Sequence, residues 1–280
     1  MLLYNGNEPL NLGKLIYWIK ERYSVRLNKE SGVEKPWSLD QVFQETYFCN
    51  VHREADRVTK GIRQMWYNRH AGFTTDTVVQ NMIMARFVNK IETLESLGWP
   101  WATFDPPQWR AVMSKGGSWG SAYIVSTNGR SVPKHEYIGG LLRSLWQQKD
   151  LTGSATTLAK AHVALMGLQG LGSFMAAQII ADLKNTEGHQ LTYADDFRSW
   201  CAHGPGSLRG LAWVLGKEKV TPTEFKHHIP WLLEEVTDQL HGLGIPDIHA
   251  QDLQNCLCEF DKYMRVSTNC GRSKRRYNGT

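Results

Sequence analysis

Leu168-Gln169-Gly170-Leu171-Gly172 stands between two stretches of helical period, residues 156–167 and 173–184. A Gly-x-Gly turn there reverses the chain and turns backbone N–H groups outward at the start of the second helix, where a phosphate can sit. The same spelling serves a plain tight turn between packed helices, so the hairpin alone predicts a helical pair and not a function. Outward from it the pattern stays helical. Residues 75–97 place Val78, Val79, Met82, Ile83, Phe87, Ile91 and Leu94 at three- and four-residue steps, one long buried helix face. Thr221-Pro222-Thr223-Glu224 opens a further helix with an N-cap, a first-turn proline and a capping-box glutamate, and Gly242 and Gly244 close it. Ser38-Leu39-Asp40-Gln41 opens in the same way. Tyr123-Ile124-Val125-Ser126-Thr127 is the one run that alternates like a strand, ended by Asn128-Gly129. The expected fold is all-α: one helical domain over residues 1–266 in two lobes that meet near 149–154, then a basic C-terminal tail, 267–280.

At 280 residues, 41% hydrophobic and 21% charged, the chain is long enough for a substantial core and is neither disordered nor fibrous. Its most apolar window, 164–183, has the length of a membrane span. Gln169, Ser173, Gln178, Asp182 and the glycine turn interrupt it, so no transmembrane helix and no membrane partner are expected. The first ten residues carry Asn5, Asn7 and Glu8 where a secretory leader needs an apolar core. Five cysteines, at 49, 201, 256, 258 and 270, make no disulfide framework. A cytoplasmic protein is expected. Cys256-Leu257-Cys258 has one intervening residue where zinc sites have two to four, and His249, Cys270 and the adjacent His227-His228 complete no ligand set. No metal site and no cofactor are assigned, and no acidic cluster announces a metal for pyrophosphate. Lys262, Arg265, Arg272, Lys274, Arg275 and Arg276 follow the last acid, Asp261, so the net charge of +5 belongs to the C-terminal end of a near-neutral body. Such a tail suits a polyanion, because each cation placed on a phosphate releases counterions. A solvated terminus is the alternative. Most of the eleven tryptophans are read as core, although flat aromatic faces also suit stacked bases.

The hairpin resembles the helix–hairpin–helix of DNA glycosylases, which grips duplex backbone without reading sequence. That resemblance implies a glycosylase-like helical fold with Gly170, Gly172 and Ser173 on the DNA backbone, joined by Arg272, Lys274, Arg275 and Arg276 of the tail. In those glycosylases an aspartate shortly after the second hairpin helix faces the extruded nucleotide. Ala194-Asp195-Asp196-Phe197-Arg198 falls at that place, followed by Gly204-Pro205-Gly206-Ser207. Bifunctional members carry a lysine nucleophile just inside the second hairpin helix, where this chain reads Ser173-Phe174-Met175-Ala176. The departure argues against a Schiff-base route and leaves a carboxylate-dependent reaction. Either aspartate also suits a helix cap.

Two further blocks are more specific: Lys29-Glu30-Ser31-Gly32-Val33-Glu34-Lys35-Pro36-Trp37, running on to Tyr47-Phe48-Cys49-Asn50-Val51-His52-Arg53-Glu54-Ala55-Asp56-Arg57-Val58-Thr59, and Leu257-Cys258-Glu259-Phe260-Asp261-Lys262-Tyr263-Met264-Arg265. With the hairpin and the paired aspartates, they resemble the phage α-glutamyl/putrescinyl-thymine pyrophosphorylases. That family is also called amino acid:DNA transferases and is related to the helical domain of 5-hydroxymethyluridine DNA kinases. The resemblance runs in order from about residue 10 to 266. It implies a transferase of thymidine hypermodification in the host-cell cytoplasm. Its substrate would be 5-(pyrophosphoryloxymethyl)uracil in double-stranded viral DNA, and an amine (glycine, glutamate, another amino acid or a polyamine such as putrescine) would replace pyrophosphate.

The residues present fit that chemistry. A base must leave the stack to meet a second substrate. Pyrophosphate departs more readily when cations neutralise its developing charge. Arg53, Arg57, Lys60, Arg63 and Arg69 fall in one expected helix, 53–69, with 53, 57 and 60 on one face. Asn50, Arg53, Arg57 and Lys60 are assigned to the pyrophosphate or to a DNA phosphate, which a planar guanidinium grips in two-point fashion. The incoming amine must lose a proton, and Asp195 and Asp196 are the catalytic candidates. Internal pairing of Asp56 with Arg53 or Lys60 is the alternative for the basic cluster, while Glu259, Asp261, Lys262 and Arg265 are read as architectural. Two other function classes fit the same features: a hydrolytic glycosylase acting on a modified thymine, and a DNA-binding module without catalysis. No motif encodes which amine is used.

Overall fold

A computed structural model describes residues 11–69 and 72–271. Arg272, Lys274, Arg275 and Arg276, assigned above to DNA, lie outside the described residues. Among those described, twelve α-helices form and no extended strand. In chain order they are α1 (Leu12–Glu30), α2 (Gln41–Glu45), α3 (Arg57–Tyr67), α4 (Thr75–Val88), α5 (Ile91–Leu97), α6 (Pro106–Met113), α7 (Lys134–Leu145), α8 (Leu158–Met166), α9 (Ser173–Leu183), α10 (Pro205–Leu215), α11 (Pro222–Gly242) and α12 (Ala250–Ser267). They form two compact units, Met1–Asp56 with Arg198–Thr280, and Arg57–Phe197. The unit borders fall after Asp56 and after Phe197, whereas residues 149–154, the expected meeting of two lobes, lie inside the second unit. Leu151 and Thr152 are buried there, and the Leu151 amide donates to Asp76 (3.3 Å), so this stretch is packed chain and not a linker.

In the first unit, the aromatic centre is Trp18 from α1, Phe43 from α2, and Phe48, with Phe225 and Phe260 in the same core. Trp18 meets Phe48 edge-on at 5.8 Å, and Phe43 lies 5.1 Å from Phe48. Gly206 and Gly210 stand one turn apart on α10 and let α12 approach its backbone. A Cβ at Gly210 would overlap the Leu257 carbonyl, and one at Gly206 would overlap the Cys258 sulfur. Asp261 of α12, 1% exposed, ties this crossing by accepting from Arg209 Nε (3.0 Å), Trp213 Nε1 (3.3 Å) and Arg265 Nε (3.2 Å). Its architectural reading therefore holds. The α11 entry also forms as its sequence implies: Thr221 Oγ1 accepts the Glu224 amide (3.2 Å), and Glu224 Oε2 accepts the Thr221 amide (2.9 Å). At α2 the cap is Asp40 and not Ser38, since Asp40 Oδ1 accepts from the Val42 amide (2.8 Å) and Ser38 Oγ from the Asp40 amide (3.0 Å).

In the second unit, α4 is buried from Val78 to Val88, including Gln80, Asn81 and Arg86. The single long helix expected over 75–97 is two helices. Asn89 turns left-handed (φ 48°), and α5 begins at Ile91. Asn89 is a residue that tolerates the left-handed cap, and a distant contact holds the break: the Gly120 amide donates to the Val88 carbonyl (2.8 Å), and the chain at Gly120 passes so close that a Cβ would overlap the Asn89 carbonyl. Arg86, 2% exposed, forks onto Asp182 of α9 (2.5 and 2.6 Å) and reaches Thr59 Oγ1 of α3 (3.1 Å). One buried ion pair thereby joins three helices, and removing Arg86 would leave Asp182 with Arg63 at 3.9 Å in place of its two-point partner. Residues 123–127 are not a strand, for no second strand exists among the described residues to complete a ladder. The Asn128-Gly129 turn forms all the same, both residues at positive φ.

No disulfide links the five cysteines. Among the described residues no helix is long and apolar enough to cross a membrane, and no group of three or more His, Cys, Asp or Glu could hold a metal ion. Each of the eleven tryptophans is buried or half-buried.

Candidate functional site

The hairpin and the aspartate loop both belong to the second unit. Between α8 and α9 the chain reverses over residues 167–172, with Leu171 buried beneath the turn and Gly170 at φ 88°. A side chain at Gly170 would overlap Leu141 of α7, so glycine is required there for space as well as for conformation. Gly172 caps α9 without a side chain, and its carbonyl accepts the Ala176 amide (3.0 Å). The amides of Ser173, Phe174 and Met175 have no acceptor among the described residues, and Gly172, Ser173 and Phe174 are exposed. These are the donors that suit an anion at a helix start. The Ser173 hydroxyl and carbonyl both face His162 Nε2 on α8 (3.3 and 3.0 Å), which fastens the two arms together.

Asp195 and Asp196 occupy a tight turn closed by the Phe197 amide on the Ala194 carbonyl (2.9 Å). Their environments differ. Asp196 is half-buried, and its two oxygens accept the amides of Leu158 (2.6 Å) and Ala159 (3.0 Å), the first two residues of α8. Thr157 Oγ1 takes the third, from Lys160 (3.2 Å). Asp196 is thus a helix cap contributed from a distant loop, and both its oxygens are occupied. Asp195 is exposed and has no hydrogen-bond or ionic partner among the described residues. Its loop is nevertheless held on both sides. Lys184, 3% exposed, donates to the Phe197 carbonyl (2.9 Å), and Gln190 Nε2 reaches the Ala155 carbonyl (3.3 Å). Six residues before Asp195 stands His189, 1% exposed, whose Nδ1 accepts the Leu191 amide (3.2 Å) and whose Nε2 has no partner among the described residues. Burial drives its pKa down to about 4, so the ring is neutral at pH 7.

The basic cluster departs from expectation. Residues 53–69 do not form one helix: Arg53–Ala55 is a short 3-10 turn and α3 starts at Arg57. Asp56 is extended (ψ 139°), because its carboxylate turns back to accept the Asn50 amide (3.1 Å) and Asn50 Nδ2 (3.0 Å). Arg53 therefore does not share a helix face with Arg57 and Lys60. The Arg53 side chain is only 11% exposed, against 81% for Arg57, which has Glu92 as a surface partner at 3.4 Å. Lys60 is exposed on the same helix. Asn50, assigned above to a phosphate, is used internally. Its carbonyl oxygen accepts Arg22 Nη2 (2.5 Å), and its amide nitrogen serves Asp56 and the Ala55 carbonyl (3.1 Å).

Asn50 and Asp56 belong to a network in the first unit that sequence reasoning missed. Burial pushes the Asp56 carboxyl up, against the pull of the Asn50 bonds, Arg53 and Arg22. Glu259 Oε2 accepts the Cys49 amide (3.1 Å) and Lys262 Nζ (2.6 Å), while Lys262 also donates to the Tyr47 carbonyl (3.1 Å). Asn255 Nδ2 reaches the Asn50 carbonyl (3.2 Å), and Asp252 accepts the Arg53 amide (2.9 Å). The two specific sequence blocks, some two hundred residues apart, are therefore one hydrogen-bonded seam. That accounts for Asn50, Asp56, Glu259 and Lys262 as scaffold. The signal for it was present only as two separate polar blocks without a common spacing.

Among the described residues the chain is all-helical, and its second unit carries an exposed glycine hairpin and a loop of two aspartates, which places it among helical domains. A family model described as "5-hmdU DNA kinase, helical domain" matches residues 11–272. The chain belongs to that family. The match ties it to the phage enzymes of 5-hydroxymethyldeoxyuridine DNA modification, a family that acts on modified DNA. No curated protein and no solved structure matches the chain.

Proposed function

We propose that this protein is a pyrophosphate-releasing amino acid:DNA transferase of thymidine hypermodification, built on a glycosylase-like helix–hairpin–helix fold. The observation that carries the reading is the family match over residues 11–272, which takes in the hairpin, the aspartates and both flanking blocks. The match is to the helical domain of those kinases. The 280 residues contain no Gly-x-x-x-x-Gly-Lys-Ser/Thr phosphate cradle of the P-loop kind.

In the proposed reaction the hairpin at Gly170, Gly172 and Ser173 and the tail cations Arg272, Lys274, Arg275 and Arg276 hold duplex backbone, and the modified base leaves the stack. A neutral amine attacks the exocyclic methylene of 5-(pyrophosphoryloxymethyl)uracil. A carbon–nitrogen bond forms as the carbon–oxygen bond breaks, and pyrophosphate leaves with the electron pair. Asp195 accepts the proton the nitrogen sheds. Its exposure and lack of a competing partner support this choice over Asp196. Arg57 and Lys60, exposed on α3, are the cations best suited to a phosphate; Arg53 and Asn50 act through the scaffold.

The test is direct. DNA carrying the pyrophosphorylated base is incubated with glycine, glutamate and putrescine separately, and nucleosides are analysed by mass spectrometry alongside a pyrophosphate assay. The expected product is an amine-bearing thymine with its glycosidic bond intact and one pyrophosphate per base. Abasic sites would make the protein a hydrolytic glycosylase. Untouched base on bound DNA would leave a binding module.

A further inference from the structure

Every tryptophan of this chain is buried or half-buried, so the most open aromatic faces belong to other residues. The exposed aromatic residues among those described are Tyr17, Tyr47, Tyr67, Tyr193 and Phe174. Phe174 differs from the others in having no polar atom to compensate its exposure. It is the one exposed phenylalanine among the described residues, with 58% of its surface open. A single exposed ring is ordinary on a protein surface; what distinguishes Phe174 is its place in the first turn of α9 and the bracing of its ring.

The ring is also held in place. Tyr123 packs edge-on against it, with centroids 5.1 Å apart and planes at 86°. Tyr123 is itself anchored, its hydroxyl donating to Gln178 Oε1 (2.9 Å), one turn further along α9. Stretch 121–127 therefore buttresses one side of Phe174 and leaves the rest open. Phe174 is the second residue of α9, and its own N–H is one of the three hairpin amides without an acceptor among the described residues. The other hairpin arm exposes Val163 and Met166, an apolar rim beside the glycine turn.

A rigid aromatic face one residue from anion-seeking amides matches the two ends of a nucleotide, whose phosphate and base lie a few ångströms apart. We infer that Phe174, braced by Tyr123, is the platform on which a nucleobase of the bound DNA strand stacks while the hairpin amides hold a phosphate of the same strand. The inference rests on the reading of the hairpin as a DNA grip and adds a residue that reads the π-face of a base. Stacking of this kind tolerates any base, because each presents a flat face.

The experiment uses the full chain and its Phe174→Ala, Phe174→Leu and Phe174→Trp variants. Affinity for fluorescein-labelled duplex and single-stranded DNA is measured at several salt concentrations, and thermal melting checks the fold. Phe174→Ala should weaken binding roughly five- to hundredfold. Phe174→Leu, which keeps apolar bulk without a π-face, should fall close to alanine, and Phe174→Trp should bind at least as well as the parent. The slope of log affinity against log salt should be the same in all four proteins, since no charge changes. Alanine binding at full strength, or leucine binding like phenylalanine, overturns the platform. A parent protein that binds no DNA overturns the hairpin reading and the platform together. Failure of the transferase assay with a phenylalanine-dependent affinity intact leaves the platform standing.

Discussion

The paired aspartates give the sharpest separation of chemistry from architecture. Asp196 satisfies the first two amides of α8 at 2.6 and 3.0 Å, and Thr157 satisfies the third. In Asp196→Ala those two amides lose a charged acceptor at the positive end of a helix. Loss of a cap costs about 1 kcal/mol, and the helix-dipole contribution adds roughly 0.3–1. Together these predict about 1–2 kcal/mol, or a melting temperature lower by roughly 2–8 °C for a chain of this size. Asp196→Asn keeps one acceptor oxygen and should lose about half as much. Asp195→Asn, at an exposed position without a partner, should stay within about 0.5 kcal/mol of the parent. Under the proposed mechanism its turnover should nonetheless fall on the order of a hundredfold or more. Melting by circular dichroism and single-turnover kinetics at 25 °C, where every variant is folded, give the two axes. If Asp195→Asn turns over like the parent while Asp196→Asn is inactive at an unchanged melting temperature, the roles assigned from the hydrogen bonds are reversed.

Gly210→Ala should destabilise by about 3 kcal/mol or more, because its Cβ meets the immovable Leu257 carbonyl; a melt within 2 °C of the parent would mean that α10 and α12 cross less tightly. His189 is held neutral by burial, so the folded state resists a proton that the unfolded state accepts below about 6.5. Its contribution to stability is complete above that pH and is lost as pH falls toward about 4, a total of about 3 kcal/mol. Urea unfolding between pH 7 and 4.5 should show this slope in the parent and a flatter one in His189→Gln. Arg86→Met leaves Asp182 buried without its bidentate partner and should cost about 3–5 kcal/mol, read from denaturant midpoints. Arg57→Ala breaks only an exposed pair and should leave stability within about 0.5 kcal/mol, yet lower the DNA salt slope by about 1 if its guanidinium holds a phosphate.

What the sequence announced and what it concealed follow one physical line. Signals that act within a single turn were readable: the Thr221–Glu224 box, the glycine hairpin and the Asp261–Arg265 pair all form. Breaks imposed from a distance were not. Residues 75–97 carry an apolar period that runs through the left-handed cap at Asn89, and the passage of Gly120 over Val88 and Asn89 holds the helix divided there. Residues 53–69 likewise carry a helical spacing of cations, which the return of Asp56 to Asn50 interrupts. The same distinction governs the candidate site. Two adjacent aspartates are equivalent as letters, and the donors that engage one of them belong to a helix 37 and 38 residues earlier in the chain. Arg53 and Asn50 were chosen for their chemical type, yet the Asn50 side chain is taken up by Arg22 and Asp56 and the Arg53 side chain is only 11% exposed, in a segment whose backbone is tied to Asp252 and Asn255 from the opposite end of the sequence. A polar residue type thus marks where chemistry can occur, but availability is decided by partners that local pattern does not contain. By that criterion Asp195, Arg57 and the hairpin amides remain open to a substrate, and Asp196, Arg53 and Asn50 serve to hold the chain in place.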